Sequence, residues 1–235
     1  MSEQLFCFTY AGGNAAFFDP LAPYLPDIQI ISPEYAGHGS RHREPFYDSF
    51  DALADDMYGK LLEQYSGGDY ALFGYSMGTI SLVEVIRRIL SNDAIPNPVC
   101  VFLAAHEPHT KSELAGFGNG DSDAEVMQRT IRFGAVPEKL QKNRIFWRTY
   151  LPLYRADYAI IGKYRFEALE LKTDIPAVVF YSETDTPRAD MELWKRYFSG
   201  TVEYYSYPGN HFFIREHDSE IGAVIAETMN RYCSH

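Results

Sequence analysis

Cysteine is scarce in this chain. Three residues, Cys7, Cys100 and Cys233, with no CxxC and no Cys/His pair at ligand spacing, exclude a disulfide framework and a zinc site. Cys7 and Cys100 lie inside apolar runs, where cysteine reads as a small core residue. Long hydrophobic runs are missing too: nothing approaches the ~20 apolar residues of a membrane span. Met1-Ser2-Glu3-Gln4 carries no basic segment, and residues 5–10 are too few for a signal-peptide core. The expectation is a cytoplasmic protein, a monomer, with no membrane partner. Basic residues are outnumbered, 21 against 32 acidic, for a formal charge of −11. That field repels phosphate and argues against nucleic acid; it also repels an acidic protein partner. With 46% hydrophobic and 23% charged residues, disorder, collagen and coiled coil are excluded as main themes. At ~150 residues per domain, 235 residues allow one large domain or two small ones.

What is present is an alternation of short apolar runs with helical patterns. Residues 5–10, 28–32, 70–73, 99–103, 177–181 and 202–205 read as strands. They are unbroken apolar runs, as expected of strands covered on both faces. Between them, 49–65, 79–90, 191–198 and 219–232 have helical spacing. The order predicts an α/β fold, a mostly parallel sheet with helices on both faces. Residues 107 to about 172 interrupt it. They hold helical patterns rich in Phe133, Phe146, Trp147 and Tyr150, preceded by a hinge-like stretch from Gly116 to Asp123. We read 1–235 as a single domain, with 107–172 inserted as a helical lid over the carboxyl edge of the sheet.

Gly74-Tyr75-Ser76-Met77-Gly78 fits G-x-S-x-G. Its weight comes from position, directly after one strand and before a helix. A serine there sits in a tight turn, its hydroxyl free of the sheet at a helix N-terminus. Ser76 is therefore the candidate nucleophile, and it needs a base. The expected order is Ser, acid, His. Of seven histidines, His38, His42, His106 and His109 come too early and His235 is the last residue. His211, in the loop between the last strand and last helix, can point back to Ser76; His217, six residues on, competes less well. The acid should follow a late strand. Asp185, four residues past Tyr181, is the candidate, with Glu183 of the same loop as rival. Donors for an oxyanion are expected from the Met77 amide and from the turn after the first strand, at Ala11.

These motifs together resemble the type II thioesterases, stand-alone α/β-hydrolases that accompany nonribosomal peptide and polyketide synthases. The resemblance spans nearly the whole chain. It rests on Ala11-Gly12-Gly13-Asn14-Ala15, Gly74–Gly78, Phe133-Gly134-Ala135-Val136-Pro137-Glu138, Arg155-Ala156-Asp157 with Tyr164, and Gly209-Asn210-His211-Phe212-Phe213. Tyr75 stands where the family usually has His, Asn210 where it has Gly, and Tyr35–Arg41 matches only loosely. The resemblance implies the triad Ser76, Asp185, His211 and the donors Ala11 and Met77. It implies hydrolysis of acyl thioesters on the phosphopantetheine arm of carrier proteins, to edit a synthase. No metal or bound cofactor is required; the phosphopantetheine belongs to the substrate.

The densest basic segment, Arg129, Arg132, Lys139, Lys142, Arg144 and Arg148, has one acid within it, Glu138. It reads either as a solvated helix face or as a docking surface for an acidic carrier protein. Two other functions fit the fold: a carboxylester hydrolase acting on free small esters, and a non-catalytic binding protein. An intact Ser-Asp-His set argues against the second.

Overall fold

The computed structural model describes residues 3–108 and 120–233. Six strands form one sheet: β1 (Glu3–Phe8), β2 (Ile28–Ile31), β3 (Tyr70–Tyr75), β4 (Cys100–Ala104), β5 (Ala177–Tyr181) and β6 (Val202–Ser206). Their order is β2-β1-β3-β4-β5-β6, and every pair is parallel. This is the α/β-hydrolase arrangement. β3 to β5 are buried along their whole length, which is why they read as continuous apolar runs rather than alternating ones. Alternate residues serve opposite faces. Phe6, Leu72, Val101 and Val179 pack with α1 (Phe50–Gln64) and α2 (Met77–Ser91). Cys7, Phe73, Phe102 and Phe180 pack with Phe18, Leu21 and α6 (Asp218–Tyr232).

Two elements depart from the sequence reading. β1 ends at Phe8 because Tyr10 already belongs to a turn, its carbonyl accepting the Gly13 N–H at 2.9 Å. The helix expected over 191–198 is a single α turn, α5 (Arg188–Met191), continued as a 3-10 segment, Glu192–Arg196. Met191 and Trp194 are fully buried at the i,i+3 spacing that a 3-10 turn superposes, and the Trp194 indole donates to the His106 carbonyl at 2.9 Å.

Between β4 and β5 stand α3 (Asp123–Phe133) and α4 (Arg144–Lys163). A capping box starts α3: the Ser122 hydroxyl accepts the Glu125 N–H, and Glu125 accepts the Ser122 N–H. Asn143 caps α4 by accepting from Ile145 and Phe146. Arg155 of α4 donates to the Asp121 carbonyl at 2.6 Å and pairs with Asp123, binding the two helices at one end. At the other end the Tyr164 hydroxyl donates to Glu84 of α2 at 2.9 Å. Residues 109–119, which include His109 and the first part of the hinge-like stretch Gly116–Asp123, lie outside the described residues, as does His235. Among the described residues no helix is long and apolar enough to cross a membrane.

Candidate active site

The carboxyl edge of the sheet converges on Ser76. Its φ of +54° is one of two positive values among described non-glycine residues; the other, Ala105, follows the neighbouring strand β4. Such backbone costs about 1–3 kcal/mol and persists only where its surroundings hold it. Here the Ser76 N–H donates to the Ala104 carbonyl at 2.8 Å, and its own carbonyl accepts the Thr79 N–H at 2.9 Å. The flanking glycines have a steric reason. A Cβ on Gly78 would lie 1.9 Å from the Phe8 carbonyl oxygen, and one on Gly74 2.4 Å from the Gly78 oxygen. Only glycines let α2 enter this close to β1 and β3.

His211 Nε2 lies 2.8 Å from the Ser76 hydroxyl, and His211 Nδ1 lies 2.8 Å from Asp185 Oδ2. The chain Ser76–His211–Asp185 is thus continuous and largely buried. Glu183, the rival acid, is exposed, and its carboxylate faces the Arg188 N–H instead. His217 is half-buried and faces Glu220 and the Pro208 carbonyl.

Sequence reasoning missed what holds His211. The Tyr75 hydroxyl, on the residue that departs from the family pattern, donates to the His211 carbonyl at 2.7 Å. Ser182 and Thr184, in the loop of Asp185, both donate to the Gly209 carbonyl, at 2.6 and 2.8 Å, tying the acid loop to the histidine loop. Asn210, a second departure, accepts the Phe212 N–H at 2.8 Å and steadies the turn. No local signal could have given the Tyr75, Ser182 and Thr184 pairings, because their partners are far apart in the chain.

Tyr10–Gly13 forms a β-turn with Gly12 at φ +75°, the left-handed third position of a type II turn. Among the described residues, neither the Ala11 nor the Met77 amide donates to a protein acceptor. Ala11 lines the cleft above Ser76; Met77 opens α2, where first-turn amides have no partner in the helix. Two free amides flanking a serine with a hydrogen-bonded imidazole can support addition to a carbonyl.

The cleft has a volume of about 150 Å³ and also holds His106, Glu107, Ala135 and Thr186. From α3 and α4, Phe133, Tyr158 and Ile161 line it. Phe133 sits 4.9 Å from the His211 ring, centroid to centroid. The other aromatics considered from sequence serve packing. Trp147 is buried and donates to the Gln141 carbonyl at 2.7 Å, while Phe146 and Tyr150 stack on each other. Of the basic segment, Arg132, Lys139, Lys142, Arg144 and Arg148 are exposed. Arg129 is committed elsewhere: it pairs with Asp121 and lies over the Tyr158 ring. The docking surface read from sequence therefore loses Arg129.

The chain is similar to known proteins. The chain is 26% identical over 233 residues to linear gramicidin dehydrogenase LgrE of Brevibacillus parabrevis, covering 97% of this chain and 88% of that protein. It is 28% identical over 224 residues to the medium-chain S-acyl fatty acid synthase thioesterase of Rattus norvegicus, covering 92% and 83%. The structure of ClbQ from the colibactin NRPS/PKS pathway superposes with a TM-score of 0.90, at 24% identity, over 99% of this chain and 98% of that one, which is a likeness of fold. The model of the thioesterase domain family matches residues 3–231. With that match running from β1 into α6, across the whole sheet and every residue of the Ser76 site, the chain belongs to the thioesterase domain family.

Proposed function

We propose that this protein hydrolyses acyl thioesters on the phosphopantetheine arms of carrier proteins, as a type II thioesterase freeing stalled or wrongly loaded carriers of a nonribosomal peptide or polyketide synthase. The observation that carries the reading is the hydrogen-bonded chain Ser76–His211–Asp185 opening on a lid-covered cleft, in a chain of the thioesterase family. One relative is named for thioesters of a fatty acid synthase, which supports a synthase-tethered substrate. The dehydrogenase in the other relative's name would call for a dinucleotide turn, G-x-G-x-x-G opening directly into an α-helix. Here β1 leads through Ala11-Gly12-Gly13-Asn14 into a 3-10 segment with two prolines.

In the proposed reaction His211 Nε2 takes the Ser76 proton as Oγ attacks the thioester carbonyl. The Ala11 and Met77 amides hold the oxyanion. The C–S bond breaks, and His211 returns the proton to the departing thiolate. Water then attacks the acyl-serine, losing its proton to His211, and the acid leaves as Ser76 regains a proton. Asp185 keeps Nδ1 protonated and stabilises the imidazolium. These steps call on no metal or bound cofactor. We read the whole chain, lid included, as one domain acting as a monomer.

The cavity lies below the ~300–1,000 Å³ of drug-sized ligand sites, which favours short acyl groups with the lid in this position. The test is a substrate panel: acetyl and octanoyl groups on carrier protein, on coenzyme A and as nitrophenyl esters. The reading expects the highest kcat/KM for acetyl-carrier protein. Nitrophenyl esters turned over faster than either thioester would make the protein a carboxylester hydrolase.

A further inference from the structure

One buried ionic cluster takes no part in these steps. Asp157 of α4 and His38, in the loop after β2, are 3% and 1% exposed. Asp157 Oδ2 accepts the Gly12 N–H at 2.6 Å and lies 3.0 Å from His38 Nε2. His38 Nδ1 lies 3.0 Å from the Ala36 carbonyl. Both ring nitrogens thus face oxygen acceptors, the geometry of a doubly protonated imidazole. Burial disfavours that charge, but Asp157, the Ala36 carbonyl and Glu34 outweigh it and raise the His38 pKa. One helical turn before Asp157, Tyr154 lays its ring on the same glycine: a Cβ at position 12 would lie 2.2 Å from Tyr154 Cε1.

Buried ion pairs contribute little net stability, because desolvating the charges offsets their attraction; fixing a geometry is their better-attested use. What this pair fixes is the peptide unit next to Ala11. A misplacement of about 1 Å at a reacting centre costs on the order of 10²-fold in rate. We propose that Asp157 and His38 are positioning residues for the oxyanion turn: they hold Gly12, and through it the Ala11 amide, and they tie that geometry to the lid helix. The donor is then set only while α4 lies against the turn. This rests on the thioesterase reading of the Ser76 site.

The test compares wild type, Asp157→Asn and His38→Gln on an acyl-N-acetylcysteamine thioester, together with inhibition by an alkylboronic acid. The boronate adduct on Ser76 is tetrahedral and sets an oxygen at the two amides. Asp157→Asn should lower kcat by on the order of 10²-fold and His38→Gln by about tenfold, with KM changed less than about threefold. Boronate affinity should weaken in the same ratio as kcat. The pH dependence attributable to the base His211 should not move, since neither residue touches it. Wild-type kcat in both variants, kcat lost with boronate affinity kept, or a displaced His211 limb would each overturn the proposal. If Asp157→Asn does not fold, His38→Gln decides on the same readings. A wild type that binds the boronate but cleaves no thioester would refute the assigned reaction, while the boronate affinities of the variants still decide the role of the pair.

Discussion

Asp185 and Glu183 share one loop two residues apart, and chain order alone left both open. The fold separates them: the turn after β5 puts Asp185 2.8 Å from His211 Nδ1 and leaves Glu183 in solvent. Asp185→Asn should lower kcat by on the order of 10³–10⁴-fold, because an amide favours the wrong imidazole tautomer, whereas Glu183→Gln should stay within about threefold of wild type. Steady-state kinetics on a small thioester check this, and the reverse order would make Glu183 the acid. His38 gives a second residue-scale expectation. Its folded pKa is raised above the ordinary 6.5, so the folded state binds the proton more tightly. Its contribution to stability is complete below the ordinary value and is lost as pH rises through the raised one. The stability gap between wild type and His38→Gln, measured by urea unfolding from about pH 6 to pH 9, should therefore shrink with rising pH. A gap that widens would mean that His38 is neutral in the fold.

At the scale of elements, legibility followed burial. β4 and β5 could be bounded within a residue from sequence because both faces are covered, so no polar residue interrupts the run, whereas β3 runs two residues past the expected 70–73, through Gly74 and Tyr75 of the serine motif. α1 and α6 showed their spacing because one face meets the core and the other meets water. The segment 188–196 did not, since its buried Met191 and Trp194, at i and i+3, fit either an α-helix or a 3-10 turn. Ser76, His211 and Asp185 were legible because each sits at a strand end whose place the pattern fixes. Asp157, Tyr75 and Ser182 act through partners across the molecule, and although Asp157 and Tyr75 fall in the quoted motifs, nothing local gives those partners. The lid makes a prediction of its own. Among the described residues its Arg132, Lys142 and Arg148 are exposed, and Ile145 is 68% exposed, a surface suited to an acidic carrier protein. Replacing the three by Ser should raise KM for acyl-carrier protein and leave kcat/KM for a small thioester nearly unchanged. The wild-type KM should rise with salt, since exposed charges are screened over ~10 Å at 0.1 M. Arg129→Ser should instead impair both substrates, because Arg129 holds Asp121. Equal loss on both substrates in the triple variant would remove the docking surface from the lid.

The whole molecule carries a charge of −11, so an acidic partner meets long-range repulsion and productive encounter must use a local basic face. The α3–α4 segment carries exposed basic residues, packs into the core cluster of α1 and α2, and lines the cleft where Ser76, His211 and Asp185 meet. The proposed chemistry converges on the Ser76 hydroxyl. The most direct measurement is hydrolysis of acetyl-carrier protein by wild type and by Ser76→Ala, with thermal unfolding of both. Alanine keeps the Cβ, so the backbone strain of the elbow is unchanged and the unfolding midpoint should stay close to that of wild type. Turnover should fall by several orders of magnitude, on the order of 10³-fold or more. A folded Ser76→Ala protein that keeps more than about a tenth of the wild-type rate, against that expected loss, would contradict the account.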